Sequence, residues 1–185
     1  SRKQFGLDPK LPTLLVLGGS LGAATINESV LRYVSTLQTH SVQVLWQCGK
    51  KQYAHLRERV STLVESVHLL PFIENMPAAY SAADLVIARA GAMTIAELIH
   101  AGKPAILVPS PNVTDDHQTH NAMSLVNKNA AKLIRDDVAI EQLIPEAIRL
   151  LESPADLQTI QQGVLKIEKQ DAAAKMADVI ETMAF

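Results

Sequence analysis

A chain of 185 residues, 48% hydrophobic and 19% charged, has the size and composition of one globular domain with a real core, and no low-complexity tract reads as disordered. A net charge of −2 at neutral pH gives no electrostatic reason to expect nucleic acid or an anionic membrane surface as partner. The one cysteine, Cys48, excludes an internal disulfide framework and suits a reducing compartment, and no apolar run reaches the roughly 18–20 residues that span a bilayer.

The opening SRKQFGLDPKLP reads as the tail of a helix stopped at Gly6, followed by a proline-punctuated path into a strand. Residues 1–12 are therefore expected to be a linker at an interior joint of a longer protein. Candidate strands follow at 13–18, 42–47, 67–72, 84–89, 104–109 and 130–134, most of them continuously apolar, as strands buried on both faces are. Helical segments are expected between them at 24–38, 52–64, 76–83, 93–101 and 118–128. Asn75 before Met76-Pro77 is an N-cap with proline in the first turn, and Gly102 after IAELIHA is a helix stop. Residues 140–185 read as helices, and the last, 171–185, carries an apolar stripe of Met176, Val179, Ile180 and Met183. Strand–helix alternation with short links predicts an α/β fold, a doubly wound, mostly parallel, Rossmann-like sheet. In such sheets ligands sit beyond the carboxyl ends of the strands, so the loops there are where chemistry is expected.

Four loops qualify. In LGGSLGAA, Gly18, Gly19 and Gly22 around Ser20 allow a tight turn that presents N–H groups at a helix N-terminus, an anion site or a plain strand–helix turn. It is neither a P-loop nor G-x-G-x-x-G, and WQCGKK after the second strand lacks the acid that holds an adenine ribose. NAD is disfavoured, and no cofactor is expected. In PFIENMPAAY, Ile73 offers an apolar side chain and free backbone N–H and C=O groups to a flat base, or a hydrophobic staple onto the next helix.

In RAGAMTIAE, Gly91-Ala92-Met93 brings a second helix N-terminus to the same crevice. Thr94 and Glu97 fit two roles: a capping box, or a carboxylate placed to accept from a sugar hydroxyl. Arg89 is either a phosphate partner or half of a structural ion pair. In VPSPNVTDDHQTHNAMSL, Asp115 or Asp116 is an N-cap, while His117 and Gln118 are placed to donate to a phosphate or sugar. A metal on Asp115, Asp116, His117 and His120 would lack matching ligands elsewhere, and none is expected.

The motifs GGSLGA, FIENM, RAGAMTIAE and HQTHNA, in this order and spacing, resemble the C-terminal half of the MurG family across nearly the whole chain. Those enzymes add N-acetylglucosamine (GlcNAc) from UDP-GlcNAc to a lipid-linked muramoyl-pentapeptide, converting lipid I to lipid II in peptidoglycan synthesis. The resemblance implies the C-terminal half of a two-domain, GT-B, inverting hexosyltransferase, with residues 1–185 as the UDP-sugar donor domain and the N-terminal acceptor domain absent.

By position, it implies Gly18, Gly19 and Ser20 at the donor diphosphate, Ile73 (through its backbone) and Met76 at the uracil, and Ala92, Met93 and Thr94 near the phosphates. It further implies Glu97 on both ribose hydroxyls and His117 and Gln118 on GlcNAc, with Asn121 following on the same helix. The His at 117 departs from a common Gln-Gln pair, and Leu21 stands where some members carry a polar residue. No catalytic base has a counterpart here, so the piece alone is expected to bind its donor without turnover. The lipid-linked acceptor would engage through the absent domain, and the whole protein would lie on the cytoplasmic face of the bacterial inner membrane. Competing readings are a separate donor-binding subunit of a two-chain GlcNAc transferase for lipid-linked oligosaccharide, a UDP-GlcNAc 2-epimerase-like enzyme, and a non-enzymatic nucleotide-binding module.

Overall fold

The computed structural model describes residues 1–19, 22–60, 66–111 and 116–167. Its strands are β1 (Thr13–Leu17), β2 (Gln43–Gln47), β3 (Val67–Leu70), β4 (Leu85–Ala88), β5 (Ala105–Leu107) and β6 (Lys132–Leu133). They form one sheet in the order β3-β2-β1-β4-β5-β6, and every pairing is parallel. Each strand lies within its expected range. The helices are α1 (Ala24–Arg32), α2 (Val34–Thr39), α3 (Lys50–Val60), α4 (Met76–Ala82), α5 (Ala92–Ala101), α6 (His117–Val126), α7 (Asp136–Glu152) and α8 (Pro154–Leu165). The end of the helix expected over 52–64 and the whole terminal helix over 171–185 lie outside the described residues.

Side chains alternate across a strand, so a fully buried sheet feeds two cores. Leu14, Val16, Val44, Trp46, Leu85, Ile87 and Ile106 face one, closed by α1, α2, α3 and α7. Leu15, Leu17, Leu45, Val86, Ala88, Ala105 and Leu107 face the other, closed by α4, α5 and α6. The helices that connect β1 through β3 thus cover one face and those that connect β3 through β6 the other, as right-handed crossovers in a doubly wound sheet require, while α7 after β6 returns to the first face.

One expectation about the helices changes. The segment expected as one helix over 24–38 is two, broken at Tyr33, whose N–H is shared between the Ser29 and Val30 carbonyls. The phenol of Tyr33 donates at 3.3 Å to the Glu141 carbonyl in α7. That carbonyl loses its usual intrahelical donor because the residue four positions on is Pro145, so the tyrosine between α1 and α2 supplies what the proline removes. Asn75, in contrast, caps α4 as expected, accepting from Ala78 N–H at 3.1 Å, and Gly102 ends α5 in the left-handed region at φ 64°.

The opening residues pack against the body. Arg2–Phe5 form a 3-10 turn ended by Gly6 at φ 70°, and Leu7 is buried. Arg2 donates to Asp84 Oδ2 at 2.6 Å, to the Ala82 carbonyl at 3.1 Å and to the Pro9 carbonyl at 2.7 Å. Buried Gln43 binds both the N–H and the C=O of Asp8 and also donates to the Leu11 carbonyl, fixing the path into β1.

This packing covers His68 of β3, where a methyl at Gly6 would come 3.5 Å from its Cε1. Burial lowers the His68 pKa below its ordinary 6.5, so the unfolded chain binds its proton more readily than the folded one. The stability this protects is present above pH 6.5 and is lost as pH falls through the lower folded value. Urea midpoints of the native chain are therefore expected to drop more between pH 7 and pH 5 than those of His68→Gln; equal drops would rule the effect out.

Candidate functional site

The chain leaves β1 toward β2 and reaches β4 from the opposite side of the sheet, while Leu17 and Ala88 are register partners at the carboxyl ends. The loops that follow them therefore diverge, opening the crevice where doubly wound sheets hold ligands.

On the β1 side, Gly18 is buried and its N–H donates to the Gln47 carbonyl at 2.9 Å, so that N–H is committed to the sheet rather than offered to an anion. A Cβ there would meet the same carbonyl at 3.0 Å, which explains the glycine by packing. Gly19, at φ 73°, instead faces open space. Ser20 and Leu21 lie outside the described residues. Gly22, at φ 83°, passes so close to the β2 exit that a Cβ would sit 2.6 Å from the Cys48 carbonyl. Asn27 of α1 ties this corner together: it accepts from the Trp46 indole at 2.9 Å and donates to the Cys48 carbonyl at 2.9 Å. Burial pushes the Cys48 thiol up to about 11, so it remains a protonated, inert core residue.

On the β4 side the structure bears on both pairs of alternatives left by the sequence. Arg89 forms the ion pair: its guanidinium meets Asp136 at 2.5 Å and the Val108 and Pro109 carbonyls at 3.1 and 3.2 Å. Asp136 also accepts from Thr25 at 2.9 Å, so the pair joins the β4 exit to α7 and α1. The capping-box reading of Thr94 and Glu97 fails, because α5 begins at Ala92 with Gly91 as N-cap. Thr94 is then the third helical residue and Glu97 lies a turn beyond the reach of a capping box.

No described side chain caps α5, and Ala92 and Met93 are exposed, Met93 to 74%. Those first-turn N–H groups and the helix dipole make a site suited to an anion. Glu97 is exposed, and its Oε2 accepts from the phenol of Tyr80 on α4 at 2.9 Å. Burial, reinforced by the carboxylate, raises the Tyr80 pKa, which keeps the phenol a donor.

At the β3 exit, Ile73 is fully buried and its N–H donates to Gln47 Oε1 at 2.8 Å. The expectation of a free N–H to clasp a base is corrected: a buried glutamine at the end of β2 already occupies it. The staple alternative also fails, since that motif uses the residue before the N-cap, here exposed Glu74. Met76 is half-buried at the start of α4, and Phe72, four residues earlier, is 46% exposed.

Helix α6 closes the crevice. Asp116 holds the N-cap position at φ 52°, but its side chain makes no capping bond, a correction to its expected role. Asp115 lies outside the described residues. His117 is exposed at the first helical position. Gln118 Oε1 accepts from the Ala90 N–H at 3.2 Å and the Ser110 N–H at 2.9 Å, which leaves its amide NH2 as the outward donor. Asn121 Nδ2 donates to the Ala90 carbonyl at 3.1 Å. Both backbone groups of Ala90 are thus held by α6, one residue before the N-cap of α5. Among the described residues no three His, Cys, Asp or Glu side chains come together as a metal site.

Tyr80, Gln47 and Asp136 escaped sequence reasoning. Each is an ordinary residue at its own locus and gains its role from a partner 17 to 47 positions away. Asn27, a polar residue on the apolar face of α1, was the one visible signal.

The sequence profile of the glycosyltransferase family 28 C-terminal domain matches residues 13–182. A curated relative from Phocaeicola vulgatus, named UDP-N-acetylglucosamine--N-acetylmuramyl-(pentapeptide) pyrophosphoryl-undecaprenol N-acetylglucosamine transferase, is 44% identical over 98% of this chain and 49% of its own length. One of the same name from Cytophaga hutchinsonii is 43% identical over 95% of this chain and 47% of its own. The chain therefore spans about half the length of the curated relatives it matches. Among solved structures, MurG of Acinetobacter baumannii superposes with a TM-score of 0.74 at 30% identity, over 97% of this chain and 52% of that one.

Proposed function

The chain belongs to the glycosyltransferase family 28 C-terminal domain family, and from that premise we propose that it is the donor-binding half of a MurG-type transferase that holds UDP-GlcNAc. The observation that carries the reading is the arrangement at the β1–β4 crevice. An uncapped helix N-terminus at Ala92–Thr94 lies one turn from a carboxylate, Glu97, that a buried phenol holds by one oxygen. The N-terminus suits a diphosphate, and the carboxylate suits a pair of ribose hydroxyls.

In this reading the diphosphate lies between Gly19 and Ser20 of the glycine-rich turn and the first turn of α5. Uracil rests by the β3 exit, near Met76 and the Ile73 carbonyl, since the Ile73 N–H is engaged. GlcNAc reaches the start of α6, where His117 and the amide of Gln118 donate to its hydroxyls. Transfer with inversion requires a base to take the acceptor proton and a site that stabilises the departing UDP. The helix dipole and N–H groups of α5 serve the second need. The base and the lipid-linked acceptor site belong to a part of the protein outside this sequence, so the piece binds without turning over. No described helix is long and apolar enough to cross a membrane; the whole enzyme is proposed to act peripherally at the cytoplasmic face, making lipid II.

Calorimetric titration of the chain with UDP-GlcNAc, with GDP-mannose and NAD as controls, tests the reading. Saturable binding of UDP-GlcNAc alone is expected. Equal binding of all three, or of none by a folded chain, would refute it.

A further inference from the structure

Glu97 sits on an exposed face of α5, where a glutamate has three rotatable bonds and ordinarily samples several rotamers. Here one partner removes that freedom. The Tyr80 ring is 5% exposed, embedded in the apolar cluster under α4 and α5, and its hydroxyl meets Glu97 Oε2 at 2.9 Å. Helix α4 is itself held by the Asn75 cap at one end, and at the other the Ala83 N–H bonds to the Ala79 and Tyr80 carbonyls. The phenol is therefore a fixed post, and it takes one lone pair of an ionised carboxylate that has about four. Oε1 bonds to no described residue. A buried phenol that only needed a partner could have used a backbone carbonyl; this one reaches an exposed side chain one turn into α5.

We propose that Tyr80 is a positioning residue that orients the Glu97 carboxylate to accept from the ribose hydroxyls of the donor nucleotide. This rests on the reading of the crevice as a uridine diphosphate site. The contribution is preorganisation: the rotamers of Glu97 are restricted before the ligand arrives, so binding does not bear that entropy. The phenol remains protonated because burial raises its pKa, so the orientation holds across the physiological range.

Calorimetry on the whole chain with two probes, UDP and 2′,3′-dideoxyuridine diphosphate, separates this role from simple packing. Wild type is measured first and is expected to prefer UDP. Tyr80→Phe keeps the ring and removes only the hydroxyl, and a thermal melt verifies folding. The variant is expected to bind UDP about three- to tenfold more weakly while its affinity for the dideoxy nucleotide changes less than twofold. In a Glu97→Ala background the same change is expected to do nothing further. Equal weakening toward both nucleotides would mean that the hydroxyl supports packing, and no weakening toward either would mean that it is idle; each overturns the proposal while leaving the site reading intact. Absence of any wild-type preference for UDP overturns the ribose role of Glu97, and the proposal with it.

Discussion

Glu97→Ala is expected to weaken UDP binding about a hundredfold and Glu97→Gln about tenfold, with both variants folded. A hydrogen bond to a charged group is worth about 1.5–3 kcal/mol, and in the proposed site two ribose hydroxyls share this carboxylate, while each factor of ten corresponds to about 1.4 kcal/mol. Alanine removes both bonds. Glutamine keeps a carbonyl for Tyr80 but turns an amide donor toward the ribose, so the hydroxyls must rotate to accept and the charge assistance is gone. Glu97→Ala is expected to lose roughly 1 kcal/mol of stability, because it leaves the buried Tyr80 hydroxyl without its acceptor, whereas Glu97→Gln keeps an acceptor there and is expected to change stability little. Calorimetry with UDP beside a thermal melt checks both halves. Unchanged affinity in a folded Glu97→Ala variant would remove the carboxylate from the site.

The second large effect concerns stability. Gly163 lies inside α8, where replacing glycine with alanine ordinarily gains about 1 kcal/mol of helix propensity. The gain is outweighed here. A Cβ at Gly163 would lie 2.3 Å from the Asn129 carbonyl oxygen, 2.6 Å from its carbon and 2.9 Å from the Ala130 nitrogen. All three are backbone atoms in the turn after α6, where Asn129 adopts φ 53° and the Ala130 N–H bonds to Leu125. No side chain can rotate away, so α8 must lift from the turn and uncover Ile160 and Val164, both buried. Overpacking of this kind typically costs about 1–3 kcal/mol and occasionally more, and contact with three backbone atoms puts this one at about 3, against a propensity gain of about 1. Gly163→Ala is expected to lose about 2 kcal/mol, which for a chain of this size lowers the melting temperature by about 4–8 °C. A higher melting temperature would show that propensity wins and that the contact is loose.

The strands were legible because a sheet covered on both faces demands uninterrupted apolar runs, and TLLVLG and DLVIAR can be little else. Asn75 and Gly102 were legible because caps are local chemistry, decided within four residues. The break at Tyr33 was not, since it involves a carbonyl in α7 freed by Pro145, over a hundred positions away. The same distinction runs through the site. The glycine turn and the start of α5 stand out in sequence, yet whether Glu97 caps its helix depends on where α5 begins. That boundary is set by Gly91 and by the hold of α6 on Ala90, not by the T-x-x-E pattern. Ile73 was placed at the β3 exit correctly, but the glutamine that occupies its N–H comes from another strand.

If the proposed donor site is right, the hold on Ala90 also constrains any attempt to redirect it toward a different sugar. Gln118 and Asn121 each grip the peptide that sets the aim of the α5 N-terminus. A substitution at position 118 chosen to fit a new hydroxyl pattern would release the Ala90 N–H and disturb the α5 N-terminus proposed to hold the diphosphate at the same time. Laboratory evolution for donor preference should therefore enrich compensating changes around residues 90 and 110, far from the sugar in sequence, before it tolerates variety at 118.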